Sequence, residues 1–508
     1  MRAVTWAAAG LLGLAAARVE AQPSDLRMRV EQYVSATQKA IVAELVDLLS
    51  IPNVASDRPN IRRNAERLRS MLDRRGFAAE LLDSDGNPLV YGRLDVPGAR
   101  RTLLVYAHYD GQPVNPALWK QASAFVPVLR DDRLEDGGRE VPGLAALERF
   151  EPSWRIYARS ASDDKSPIVA FLTAIDALKA SGIAPSSNLR VILDGEEEAG
   201  SPSLVPAIAR YRDKLAADLM LLLDGPMHPS ARPTLVFGAR GLVTIRLTVY
   251  GPKVPLHSGH YGNWVPNPAM RLAALLASCK DERGRILIEG FYESIGEPTP
   301  DEEAMLAEVP DDPAGLQKLF GISAPENPEL SLQAALQLPT FNVHGLSSMY
   351  VGGEARTVIP DRAEAAIDIR LVKETPAMRI VERVRAHLVR QGYHVVSGEP
   401  DDQTRARYSK IVKFTVEPGG SNAVRTSPLH PVARQLTDAL TRTFGEAPVR
   451  IRTSGGWLPI APFIEALGFP AVIMGIVNVD NNQHGENENL RLDAFFGGIT
   501  TIAVALTM

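Results

Sequence analysis

The hydrophobic and polar positions of the chain fall into two textures. In the first, Val30, Val34, Ile41, Leu45, Leu48 and Leu49 recur at helical spacing, and Pro52 closes the run. A second amphipathic stretch covers 61–75. Short apolar runs then alternate with helical ones: strands at 102–107, 189–193 and 219–223, helices at 167–180 and 204–211. Strands separated by helices predict an α/β fold, a mostly parallel sheet sandwiched by helices on both faces. In such sheets, functional groups gather in the loops beyond the carboxyl ends of the strands.

The second texture begins near Gly241. Residues 242–250 and 363–371 alternate apolar and polar as half-exposed strands, with helical segments at 268–277 and 376–390. This predicts a small α+β unit with one solvated sheet face. After residue 427 the first texture returns, with a helix at 431–444 and a buried strand at 471–477. The organisation expected is therefore a domain of 22–240 plus 428–508, interrupted by an inserted domain of 241–427. Segment 121–152 reads as a charged loop or flap near the site, and 290–340 as a Pro- and acid-rich stretch carrying no chemistry.

The N-terminus has a pattern of its own. Met1-Arg2 precedes an apolar run over 3–17, and Val19-Glu20-Ala21 places small residues where a signal peptidase reads. Residues 1–21 are expected to be a secretory signal peptide, and the run is shorter than the ~20 residues of a bilayer span. No cysteine follows to carry a lipid, so the expected product has no membrane anchor and is periplasmic. Composition narrows the function further. With 55 Lys+Arg against 60 Asp+Glu, there is no basic excess for nucleic acid or anionic lipid. The single cysteine, Cys279, excludes an intrachain disulfide framework and a cysteine-based zinc site.

Five loops carry candidate chemistry: Ala107-His108-Tyr109-Asp110-Gly111; Ala161-Ser162-Asp163-Asp164-Lys165; Asp194-Gly195-Glu196-Glu197-Glu198-Ala199-Gly200-Ser201; Asp224-Gly225; and Asn482-Gln483-His484-Gly485-Glu486-Asn487-Glu488. Taken singly, each has an ordinary reading as a helix cap, a turn or a solvated helix face. Together at one sheet edge they would set two histidines among several mutually repelling carboxylates. Cations relieve that repulsion, and mixed His and carboxylate donors suit zinc, or less selectively manganese or cobalt.

In the order of these loops and in the lid segment Leu256-His257-Ser258-Gly259-His260-Tyr261-Gly262-Asn263, the chain resembles the two-zinc metallopeptidase family of glutamate carboxypeptidase, carnosinase-like dipeptidases, aminoacylase and succinyl-diaminopimelate desuccinylase. The resemblance implies two Zn2+ per chain, bridged by Asp163, with His108 and Asp224 completing one site and Glu198 and His484 the other. It implies Glu197 as general base and Asp110 as the partner that orients His108. The peptide after Asp163 would be cis. His257 would reach a partner subunit's site in a homodimer formed through the lid. Arg370, Asn342 and the Gly455-Gly456 loop with Trp457 would bind substrate.

Departures from the family pattern are Ala158-Arg159-Ser160 where relatives carry Gly-Arg-Gly, Ser166 for a glycine, Gly262-Asn263 for two glycines, and Trp457 for a serine. The function expected is release of a C-terminal residue from dipeptides or short peptides by an exported enzyme. The alternatives are an N-acyl-amino-acid deacylase and a non-catalytic periplasmic binding protein of the same fold.

Overall fold

The computed structural model describes residues 23–456 and 458–508, so the expected signal peptide and Trp457 lie outside the described residues. An eight-stranded sheet runs in the order Ala78–Leu82, Leu89–Leu94, Asn188–Asp194, Thr102–His108, Leu219–Leu222, Ala471–Gly475, Thr234–Val236, Val449–Ile451. Its centre is parallel, from Asn188–Asp194 through Ala471–Gly475. Antiparallel pairs flank that centre on both sides. The Leu219–Leu222 and Ala471–Gly475 strands are buried at every position, which is why they read as unbroken apolar runs.

One face is covered by the helices Pro23–Leu49, Lys165–Ala180 and Leu492–Thr507, which share a core containing Leu45, Leu48, Phe171, Leu172, Phe495 and Ile499. Each such side chain contributes about 1.5–3 kcal/mol on burial. The last of these helices was not expected. It is apolar nearly all round, so it shows no amphipathic period to read. Lys165 is fully buried here, and its ammonium donates to Leu48 O and Ile51 O, 2.8 Å each. It thereby ties down the turn that closes the Pro23–Leu49 helix.

The inserted unit is a five-stranded sheet in the order Asn342–Ser347, Arg362–Leu371, Gly241–Tyr250, Ile411–Val416, His394–Val396. Arg362–Leu371 alternates strictly between buried and half-exposed positions. The buried face shares one core with the helices Pro268–Ala277 and Ala377–Arg390, through Ile245, Ile367, Leu272 and Val384. Two of these strands were visible as alternation; the edge strand Asn342–Ser347 is too exposed to show it.

The chain crosses between the sheets twice, side by side. Gly238–Ala239 pairs antiparallel with Val424–Arg425, and Leu242 N donates to Ser421 O. Gly241 is required there because a Cβ would fall 2.4 Å from Ser421 O and 2.5 Å from Ala423 N.

Two further segments bear on the site. Residues 121–152 contain the strand Val128–Arg130, which pairs with Arg155–Tyr157, itself paired with Asn489–Arg491. That small sheet lies against the loop carrying His484, with Lys120 N donating to Asn487 Oδ1. Residues 290–340 hold the helices Pro300–Ala307, Pro313–Phe320 and Leu332–Ala335. Ion pairs of Glu302 with Arg452 and Glu308 with Arg450, and a contact of Asp311 with His228 Nε2, tie this segment to the first sheet.

Candidate metal centre

Parallel pairing delivers the loops after Thr102–His108, Asn188–Asp194 and Leu219–Leu222 to one edge, where the Asp163 and His484 loops meet them. His108 ends its strand opposite Asp194, and Tyr106 lies opposite Leu222, just before Asp224. His108 Nε2 lies 2.9 Å from Asp163 Oδ1, and His484 Nε2 lies 3.2 Å from Asp163 Oδ2 and 3.4 Å from Glu198 Oε2. Each oxygen of Asp163 therefore faces a different histidine.

Ligand atoms of His108, Asp163 and Asp224 lie within 4.8 Å of one another, and so do those of Asp163, Glu198 and His484. Both sets offer nitrogen and oxygen donors and share one carboxylate. That is a fit to a pair of zinc-like divalent cations.

Electrostatics give the same answer. Two carboxylates 4 Å apart repel by on the order of 4 kcal/mol near a protein surface. Burial, reinforced by the charge of Asp163, pushes Asp224 up to about 6 and Glu198 up to about 7. Burial also raises Glu197 strongly, with Asp224, Glu198 and Asp163 adding to it. Asp163 goes the other way: burial would raise it, but hydrogen bonds from His108 and His484 hold it below the usual carboxylate range. His484 is raised to about 9, first by its bond to Asp163. These shifts favour protons on the two histidines and on Glu197 and Glu198 over Asp163. Uptake of a metal must displace them.

Backbone donors fix the ligands. Asp110 does more than approach His108, whose Nδ1 is 3.3 Å away. Its two oxygens accept the backbone N–H groups of Glu197 and Glu198, 3.0 Å each, so one carboxylate sets both the first and third loops. Asp194 holds the same turn from below, accepting from Glu196 N and Ser201 Oγ.

The fully buried Glu488 accepts from Ser160 N, Ser162 N, Asp163 N and the Arg159 guanidinium at 2.8–2.9 Å. The Asp163–Asp164 peptide is cis. Glu488 was visible only as the last residue of the fifth motif; its partners lie more than 320 residues away, beyond the reach of any local pattern. Gln112 is a second residue without a sequence signal, donating from Nε2 to Glu198 Oε2 at 2.6 Å.

The substrate-side residues are placed differently. No hydrogen bond or ion pair links His257 to the five ligand residues among the described residues. It is exposed, accepts from Gly259 N at Nδ1 and lies 4.4 Å from the His260 ring. Asn342 donates to Asp368 Oδ1 at 2.6 Å, and Arg370 Nε lies 3.8 Å from Asp368 Oδ2. These two therefore share one patch of the inserted sheet. Gly455 packs near Leu336, and Gly456 has open space around its Cα.

Comparison with known proteins gives this geometry a family context. A model of peptidase family M20/M25/M40 matches residues 104–507. The Cys-Gly metallodipeptidase of Schizosaccharomyces pombe is 27% identical over 492 residues, covering 93% of this chain and 96% of that protein. The human Beta-Ala-His dipeptidase is 25% identical over 501 residues, covering 92% and 90%. Among solved structures, an M20 family metallo-carboxypeptidase from Sulfolobus solfataricus superposes with a TM-score of 0.74 at 29% identity, covering 92% of this chain and 98% of that one.

The arrangement around Glu488 yields a test that does not depend on substrate. Glu488→Gln keeps the shape but replaces one acceptor oxygen by a donor facing backbone N–H groups. Metal retention, read by elemental analysis after graded chelation, is expected to weaken by about 10–100-fold. Unchanged retention would mean that the loop holds Asp163 without it.

Proposed function

The chain belongs to peptidase family M20/M25/M40 and is a metallo-hydrolase; on that premise we propose that it is a dipeptidase whose water is activated at a two-metal centre. The observation that carries the proposal is the shared Asp163, with Glu197 directly beside Glu198 and left over from the two ligand sets.

His108, Asp163 and Asp224 would hold one cation and Glu198, His484 and Asp163 the other. Bound there, a divalent pair supplies Lewis acidity for the scissile carbonyl and makes a water molecule more acidic. Glu197 then takes the water's proton and passes it to the leaving amine. Its raised proton affinity suits both halves of that transfer. Asp110 keeps His108 and the Glu197-Glu198 turn in register during it. The names of the dipeptidase relatives support the choice of substrate, and Arg370 would bind the free carboxylate of the departing residue. The deacylase alternative leans on Trp457, outside the described residues. The binding-protein alternative gives Glu197 no purpose.

We also propose that the chain is exported and works as a homodimer. For export, the support is the apolar run and the small residues before Gln22, so the exported protein should begin at Gln22 when its N-terminus is sequenced. For the dimer, the support is the open edge strand Asn342–Ser347, together with exposed Leu346, Tyr350, Val351 and Trp264 on the inserted unit. His257 would then act on the partner's substrate.

Zinc-loaded protein should hydrolyse dipeptides faster than N-acyl amino acids, and Glu197→Gln should lower kcat by about 10²–10⁴ while keeping its metal. Full activity in that variant would refute the assignment of the base; preference for N-acyl amino acids would reassign the enzyme as a deacylase.

The dimer has its own assay. His257→Ala and Glu197→Gln chains, each nearly inactive alone, should recover about a quarter of native activity when dissociated, mixed and reassembled, since a mixed dimer restores one complete site. No recovery, with exchange demonstrated by tagged subunits, would place His257 outside the partner's chemistry.

A further inference from the structure

Arg240 stands at the first crossing between the two sheets and is only 6% exposed. Its guanidinium bonds to backbone alone among the described residues: Nε to Leu336 O at 3.0 Å, and Nη2 to Ala335 O and Leu338 O at 2.7 Å each. Nη1 has no partner among those residues. Nor is any carboxylate there in ion-pair range, an expensive state for a buried charge.

A second positive charge makes matters worse. Burial first, and Arg370 second, lower the proton affinity of Arg240 to about 10. Among the described residues the Arg370 guanidinium has only the long contact to Asp368. Three carbonyls need donors but not a full charge, so a backbone-strut role leaves the pairing of two guanidiniums unexplained. What lies beside them is informative. Arg240 N donates to Ser454 O, which puts the start of the Gly455-Gly456 turn next to Arg240, and among the described residues other than its chain neighbours nothing lies within 4 Å of where a Cβ on Gly456 would fall.

We propose that Arg240 is a second cationic prong of the substrate site, gripping with Arg370 the free α-carboxylate at the C-terminal end of the substrate. The inference deepens the dipeptidase reading and rests on it. On this inference, discrimination between a C-terminal carboxylate and a C-terminal amide depends on Arg240 as well as on Arg370. Nη1 is the atom left available, while Nε and Nη2 stay fixed on 335–338. The Pro- and acid-rich segment, which the sequence left without a role, thus acts as the brace that aims this arginine.

The test is calorimetric titration of zinc-loaded Glu197→Gln protein, a background in which bound peptide persists, with Ala-Gly and with Ala-Gly amide. The acid should bind about tenfold or more tightly than the amide, as expected for charge-assisted bonds. Adding Arg240→Gln should cut affinity for the acid by about tenfold and leave the amide unchanged. Arg240→Lys, which keeps the charge but not the fork, should fall between them, and it carries the test if the glutamine variant melts early.

Equal losses for acid and amide, or no loss, would overturn the proposal and leave Arg240 as a strut for 335–338. Failure of the dipeptidase reading is seen separately, as absence of Ala-Gly hydrolysis by the native enzyme. The acid-to-amide ratio reports on the clamp either way.

Discussion

A carboxylate shared by two candidate ligand sets cannot be left to find its own position, and the fixing of Asp163 is the constraint on which the rest of this site depends. The side chain is hemmed by His108 on one oxygen and His484 on the other, so its backbone has to be set from behind. Glu488 does this with one buried carboxylate that collects three consecutive-region N–H groups and the Arg159 guanidinium. The same logic recurs at Asp110, which collects the N–H groups of Glu197 and Glu198. In both cases an acid that does not belong to a ligand set organises acids that do. Glu488 is held by Arg159 together with the backbone N–H groups, Asp110 by backbone N–H groups of the turn it organises.

Sheet topology explains why such cross-bracing is available. In the parallel centre of the sheet, neighbouring strands end at the same level, so the loops after Thr102–His108, Asn188–Asp194 and Leu219–Leu222 emerge side by side. Strands are about 4.8 Å apart, which already brings ligands on adjacent strand ends close to metal-bridging distance. Asp163 and His484 come instead from loops outside that row. They are the two that need extra support, and the small sheet of Val128–Arg130, Arg155–Tyr157 and Asn489–Arg491 supplies it by joining their flanks.

This division also sets what can be read from sequence. Loops that follow buried apolar strands announce themselves, because a run such as Leu103–Ala107 stops abruptly at a histidine or acid; the loops of His108, Asp194 and Asp224 were visible this way, and that of Asp163 by the helix it precedes. The alternation of 363–371 revealed a sheet with one wet face for the same reason of local period. Glu488, Gln112 and Arg240 left no local mark. Their roles consist of partners brought near by folding, and a buried Arg between two domains looks like any Arg-Gly turn. The Leu492–Thr507 helix was hidden for the opposite reason, being apolar on every side. His257 and the inserted unit mark a third limit, since a residue proposed to work on a partner chain has no partner within its own.

Ser160 shows how the framework absorbs a departure from the family pattern. It occupies a left-handed backbone conformation, φ 61°, where the relatives' glycine pays no steric cost and an L side chain loses roughly 1–2 kcal/mol. The hydroxyl accepts from Asn53 Nδ2 at 2.9 Å, and that amide also donates to Tyr109 O. A hydrogen bond of this kind contributes about 1 kcal/mol, comparable to the strain. More important for the site, the backbone N–H of Ser160 remains on Glu488. What the loop requires at this position is an N–H aimed at a buried carboxylate, not the absence of a side chain. Glycine is one way to meet that requirement, and serine braced by Asn53 is another. Through Asn53, the serine ties the His108 loop to the Asp163 loop by one more bond.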